Sequence, residues 1–247
     1  MLLWSQSTVL GVFVMLNVQD LSFSFGHRKV LKDINFTISN GEIVGLVAPN
    51  GTGKSTLLRC IMDLLRPTTG NVQLSGFDHN RQHNDFLRNV FFAENNEMLY
   101  PELTAAEHLQ YVIDIWHSPV QAQTVLKSLK MQDYSSIRVR NMSLGMKQHV
   151  LLGMAFSSGA PLLIFDEPLN GLDPSSTALF TQIILGLRAK GRSVIMSSHQ
   201  LTNVSATADR VFFLKEGKIT VYPNDNNVSQ QYASMFPEEA SVDVANL

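Results

Sequence analysis

Apolar residues alternate with polar ones through most of residues 16–25, and again at Ile34, Phe36 and Ile38. A period of two puts every second side chain on one face, so both stretches predict half-buried strands of an antiparallel sheet. After the turn Ser39-Asn40-Gly41 the pattern changes. Residues 42–47 carry the continuous run Ile43-Val44-Gly45-Leu46-Val47, which suits a strand buried on both faces. Short strands are predicted over 72–74 and 90–92, and another buried strand, 161–165, ends in Asp166-Glu167. A strand over 193–197 runs into Ser198-His199, and strands at 210–214 and 219–222 flank the hairpin turn Glu216-Gly217.

Between these strands lie helical signals. Thr104-Ala105-Ala106-Glu107 is a capping box that opens a helix through Trp116. A helix is expected over 56–65 and a second over 119–130, which makes residues 95–160 helix-rich. Strands alternating with helices imply an α/β domain with a mainly parallel sheet, whose ligands bind at the C-terminal strand ends. Residues 224–247 are polar and without a period, and are expected to form a loosely attached tail. The first 14 residues are read as an extension ahead of a start at Met15. They carry no Lys or Arg, and none comes before Arg28, so the basic start of a signal peptide is missing. A segment that touches a membrane interface is the alternative for them.

Length and composition narrow the class. A chain of 247 residues allows one large α/β domain with an inserted subdomain. The net charge of −2 argues against a nucleic-acid partner, which calls for a basic excess. A hydrophobic content of 45% fits a sizeable core together with an apolar docking surface. No apolar run approaches the roughly 18 residues of a membrane-spanning helix. The single cysteine, Cys60, excludes an intrachain disulfide, fits a reducing cytoplasm and reads as a small packing residue.

Two segments carry chemistry. Residues 48–56, APNGTGKST, follow the buried strand and precede a helix. They match the phosphate-binding pattern G-x-x-x-x-G-K-[ST] except that Ala48 holds the first glycine position. Gly51 and Gly53 let several backbone N–H groups face one anion. Lys54 reaches outer phosphates, Ser55 can hold Mg²⁺, and the following helix presents its positive end. If the first position demands left-handed backbone, Ala48 costs about 1–2 kcal/mol. In the second segment, Asp166 closes an apolar strand, where a carboxylate is costly unless it meets a cation. A Mg²⁺–phosphate site supplies that cation, and the adjacent Glu167 is placed to polarise a water.

With these motifs in this order, residues 15–222 resemble an ATP-binding cassette (ABC) ATPase, the nucleotide-binding subunit of an ABC transporter. The resemblance implies a P-loop NTPase (RecA-like) core, an N-terminal antiparallel β-subdomain and an inserted α-helical subdomain near 95–160, within a domain spanning 15–223. It makes 48–56 the Walker A loop, so that Asn50, Gly51, Thr52, Gly53, Lys54, Ser55 and Thr56 hold ATP. Asp166 becomes the Walker B aspartate and Glu167 the catalytic base. His199 matches the switch histidine on the γ-phosphate, and Asn170-Gly171-Leu172-Asp173 the D-loop. Phe25 falls where the family stacks an aromatic on adenine, with a strand-core role as its alternative.

Residues 142–148, Met-Ser-Leu-Gly-Met-Lys-Gln, stand where the family's L-S-G-G-Q signature belongs and resemble the S-L-G-M-K-Q variant of antibiotic- and peptide-exporter ATPases. Ser143 and Gly145 then grip the phosphate of nucleotide bound to a partner subunit, although helix capping explains Ser143 equally well. His149 departs from the usual Arg. Glu94 stands where the family often has a Mg²⁺-holding Gln; a surface carboxylate is its other reading.

The expected function is ATP binding and hydrolysis that powers an exporter through nucleotide-driven dimerisation. The implied partners are a second copy and a separate transmembrane permease, with the chain peripheral on the cytoplasmic face of the membrane. The rival is a non-transport ABC ATPase acting on a soluble assembly.

Overall fold

The computed structural model describes residues 8–9, 12–199, 201–225 and 227–237. The residues of the expected extension that fall among these lie in strands. β1 (Thr8–Val9) pairs antiparallel with β2 (Val12–Phe25), so 12–14 continue the first long strand. β2 also pairs with β3 (Arg28–Ser39) on one side. On the other it pairs with β5 (Thr69–Leu74), which pairs in turn with β6 (Phe77–Asp78). This is the expected antiparallel N-terminal sheet.

The second sheet has the order β11–β10–β4–β9–β8–β7. It consists of β4 (Ile43–Val47), β7 (Val90–Ala93), β8 (Leu162–Phe165), β9 (Ser193–Ser198), β10 (Arg210–Lys215) and β11 (Lys218–Pro223). All neighbours are parallel except the β10–β11 hairpin. Every residue of β4, β7, β8 and β9 is buried, which is why β4, β7 and β8 read as continuous apolar runs, while β9 buries serines at both ends. The α/β class with a P-loop core is therefore confirmed in the topology.

Register sets what stands at the sheet's upper edge. Val47 pairs with Ser198, Met196 with Phe165, and Phe165 with Ala93. Asp166 therefore emerges beside Glu94 and Ser197, and Ala48 emerges beside His199, two residues further along. A slip of one residue would send each strand's side chains to the opposite face.

The helices are α1 (Lys54–Ile61), α2 (His83–Arg88), α3 (Ala105–Trp116), α4 (Ala122–Ser128), α5 (Leu144–Ser157), α6 (Pro174–Ala189), α7 (Leu201–Thr207) and α8 (Val228–Met235). Three of them, α3 to α5, fill the stretch between β7 and β8. The capping box is present: Glu107 N–H donates to Thr104 Oγ1, and Thr104 N–H donates to Glu107 Oε2 at 2.7 Å. Gly153 lets α5 approach α3 closely, since a Cβ there would lie 3.1 Å from Leu109 Cδ1.

Three expectations need correction. The helix behind the loop spans 54–61 rather than 56–65, and α4 is shorter than 119–130. The 224–237 segment is not a loose tail. Tyr232 of its helix α8 and Phe236, the C-cap of that helix, lie against Phe213 of β10 with ring centroids at 6.2 and 6.4 Å, and Lys215 Nζ donates to Met235 O. No helix among the described residues is long and apolar enough to cross a membrane.

Candidate active site

The loop after β4 turns on two glycines. Gly51 has φ +77°, and Gly53, the N-cap of α1, has φ +112°. A Cβ on Gly53 would also meet Val30 Cγ1 at 2.9 Å, so both conformation and space demand glycine there. Ala48 is buried and is not among the positive-φ residues, so its departure from the motif carries no backbone penalty. Lys54 is 6% exposed. Its ammonium donates to Ala48 O at 2.7 Å and lies 3.5 Å from Glu167 Oε1, which gives a buried charge the partners it requires. Thr52 Oγ1 closes the loop on Pro49 O at 2.8 Å.

Across the cleft, Ser197 Oγ at the end of β9 donates to Asp166 Oδ1 and accepts from Glu167 N–H at 2.8 Å. One buried hydroxyl therefore orients both acidic residues. Glu167 adopts φ +51°, a strained conformation for a residue with a side chain, and such strain clusters at functional sites. Its Oε2 is 2.9 Å from His199 Nδ1, while its buried Oε1 accepts no hydrogen bond. The segment after Glu167 is anchored from α5 by Gln148, whose Nε2 donates to Pro168 O at 2.6 Å.

A cleft of about 460 Å³ joins these groups. Asn50, Gly51, Gly53, Lys54, Ser55 and Thr56 line it on the loop side. Glu94, Asp166 and Glu167 line it from the ends of β7 and β8, together with Phe25 and Arg28. Phe25 is 55% exposed, which removes its strand-core alternative. Glu94 is not a free surface carboxylate, because it is ion-paired with Arg59 of α1 within the cleft wall. Ser55, Asp166 and Glu94 each bring an oxygen donor to the lining of this cleft, and oxygen is the ligand type that Mg²⁺ takes.

Thr52 and His199 do not line this cleft, although each adjoins a residue that does, and three further expected site residues lie away from it. Ser143 caps α5, its Oγ accepting from Met146 N–H at 3.3 Å, and it remains exposed. Nothing within 4 Å would meet a Cβ on Gly145, so the start of α5 faces open space. Asp173 caps α6, accepting from the N–H groups of Ser175 and Ser176. Hydrogen bonds from both serines hold its carboxyl well below the usual range. His149, in place of the family's Arg, pairs with Tyr134 Oη at 2.9 Å, and burial lowers its pKa.

Sequence reasoning missed Arg59 and Ser197. Arg59 stands four residues after Ser55, on the same helix face, and Ser197 stands two before His199; these spacings were the only available signals.

Comparison with known proteins agrees with this geometry. Residues 31–170 match the ABC transporter family. The chain is 32% identical to the uncharacterised ABC transporter ATP-binding protein YdbJ of Bacillus subtilis, covering 93% of this chain and 74% of that protein. It is also 32% identical to the SkfA peptide export ATP-binding protein SkfE of Bacillus subtilis, over 92% of each. A solved ATP-binding subunit of an ABC transporter superimposes with a TM-score of 0.82 at 29% identity, over 92% of this chain and all of that one. This chain belongs to the ABC transporter family as an ATP-binding subunit, an ATPase whose hydrolysis of ATP is coupled to transport.

Proposed function

We propose that the chain drives export as a homodimer in which each ATP is held between the cleft of one copy and the signature helix of the other. The observation that carries this reading is the split of the site. The loop, Asp166 and Glu167 share one cleft, while Ser143 and Gly145 stand outside it on an exposed helix start. A helix N-terminus with open space above it suits an incoming phosphate. The likeness to SkfE supports the export direction. The permease is assigned to a separate polypeptide, with this chain on the cytoplasmic face beneath it.

In this reading adenine stacks on Phe25 and the triphosphate lies along 50–56. Lys54, now bonded to Ala48 O, turns to the outer phosphates and releases Glu167. Ser55, Asp166 and Glu94 would hold Mg²⁺, which when bound neutralises phosphate charge. Glu167 accepts a proton from the attacking water. The water oxygen bonds to the γ-phosphorus, and the bond to the β-phosphate oxygen breaks to leave ADP and phosphate. His199 fixes the Glu167 carboxylate and contacts the γ-phosphate.

The test is mixing. Heterodimers of Ser143→Arg and Lys54→Ala subunits carry both lesions in one composite site and none in the other. Hydrolysis above that of either variant alone is expected. Mixtures of confirmed heterodimers no more active than their parents contradict the shared site.

A further inference from the structure

Glu94 and Asp166 end neighbouring parallel strands, and Asp166 N–H donates to Ala93 O at 2.9 Å. Two carboxylates therefore line one cleft that must take a polyanion, an arrangement that repels the triphosphate. Arg59 answers that surplus. Its Nε and Nη2 both contact Glu94 Oε1, and among the described residues no hydrogen bond is made to Oε2. The carboxylate is the drier partner, 18% exposed against 43% for Arg59.

We propose that Arg59 is a positioning residue that makes Glu94 a neutral polar unit: it cancels the carboxylate's charge through Oε1 and leaves Oε2 for the metal. This rests on the reading of Glu94 as a Mg²⁺ ligand. The pair then supplies at this position what an uncharged side-chain oxygen would, while retaining an anionic donor. Arg59 is well placed for the task because α1 carries it on the face of Ser55, so one helix face presents both the loop hydroxyl and the partner of Glu94.

The test is the ratio of dissociation constants for mant-ATP in EDTA and in excess Mg²⁺, measured by fluorescence on the full chain. Arg59→Met exposes the Glu94 charge to metal-free nucleotide, and the ratio should rise about fivefold. Arg59→Lys keeps the charge and should stay near wild type, which separates this effect from loss of packing. Glu94→Gln should lower the ratio, and adding Arg59→Met to it should change the ratio little further. An equal rise in the Glu94→Gln background would mean that Arg59 acts on the phosphates directly, and would overturn the proposal alone. An unchanged ratio in Glu94→Gln itself would overturn the metal reading beneath it.

Discussion

His199 Nδ1 and Glu167 Oε2 lie 2.9 Å apart, joining the end of β9 to the end of β8. The other oxygen of the same carboxylate faces Lys54 Nζ at 3.5 Å. Glu167 is thus held from two sides, by a group that orients it and by a cation that nucleotide will claim. Glu167→Gln keeps the shape of this clamp and removes the base. Turnover should fall about 100- to 10,000-fold while ATP still binds. Phosphate release alongside equilibrium nucleotide binding checks both halves, and a variant hydrolysing at the wild-type rate rejects Glu167 as the base.

Ser197 is wholly buried and serves two masters, Asp166 and the Glu167 amide. Ser197→Ala leaves that amide without its acceptor, at a cost of about 1–3 kcal/mol in stability. Because the hydroxyl orients groups that act on the reaction, turnover should also drop about 10- to 100-fold, by analogy with partners that orient metal ligands. Retained nucleotide affinity with reduced kcat is the expected pattern. Loss of affinity with unchanged kcat would assign Ser197 to packing alone.

His108 ties the 100–104 segment to α3 in one protonation state. Its Nδ1 donates to Thr104 O at 2.8 Å, and its Nε2 accepts from Tyr100 N–H at 2.9 Å. Burial depresses its pKa, opposed by the Thr104 hydrogen bond and the Glu107 charge. A histidine whose folded pKa is lowered contributes stability above its unfolded value of about 6.5 and loses it as pH falls through the folded value. Acid should therefore loosen this segment ahead of the parallel sheet. Hydrogen exchange at the Tyr100 amide, corrected for its intrinsic pH dependence, should lose protection as the pH falls below about 6.5. Undiminished protection would contradict the neutral-ring account.

The sequence was most legible where the chemistry is local. Gly51, Gly53 and Lys54 lie within a few residues of one another, and Thr104 with Glu107 closes a single helical turn, so the motif contained the geometry. Arg59 and Ser197 were not legible, because their partners lie 35 and 30 residues away and meet them only through strand register. Helix α1 begins two residues early because Gly53, in the left-handed region, forms its N-cap. The docking of α8 depends on Phe213, whose nearness to Tyr232 follows from the fold and not from the polar composition around that tyrosine.

The central claim, that a second copy completes the site, is tested most directly by size-exclusion chromatography with ATP. Glu167→Gln, which binds ATP without consuming it, should elute as a dimer with ATP and as a monomer without it. Adding Ser143→Arg puts a bulky side chain at the exposed start of α5 and leaves the cleft of the same chain untouched. That double variant should bind ATP yet remain monomeric. A double variant that still dimerises with ATP, or a Glu167→Gln protein that stays monomeric when saturated with it, would contradict the shared site.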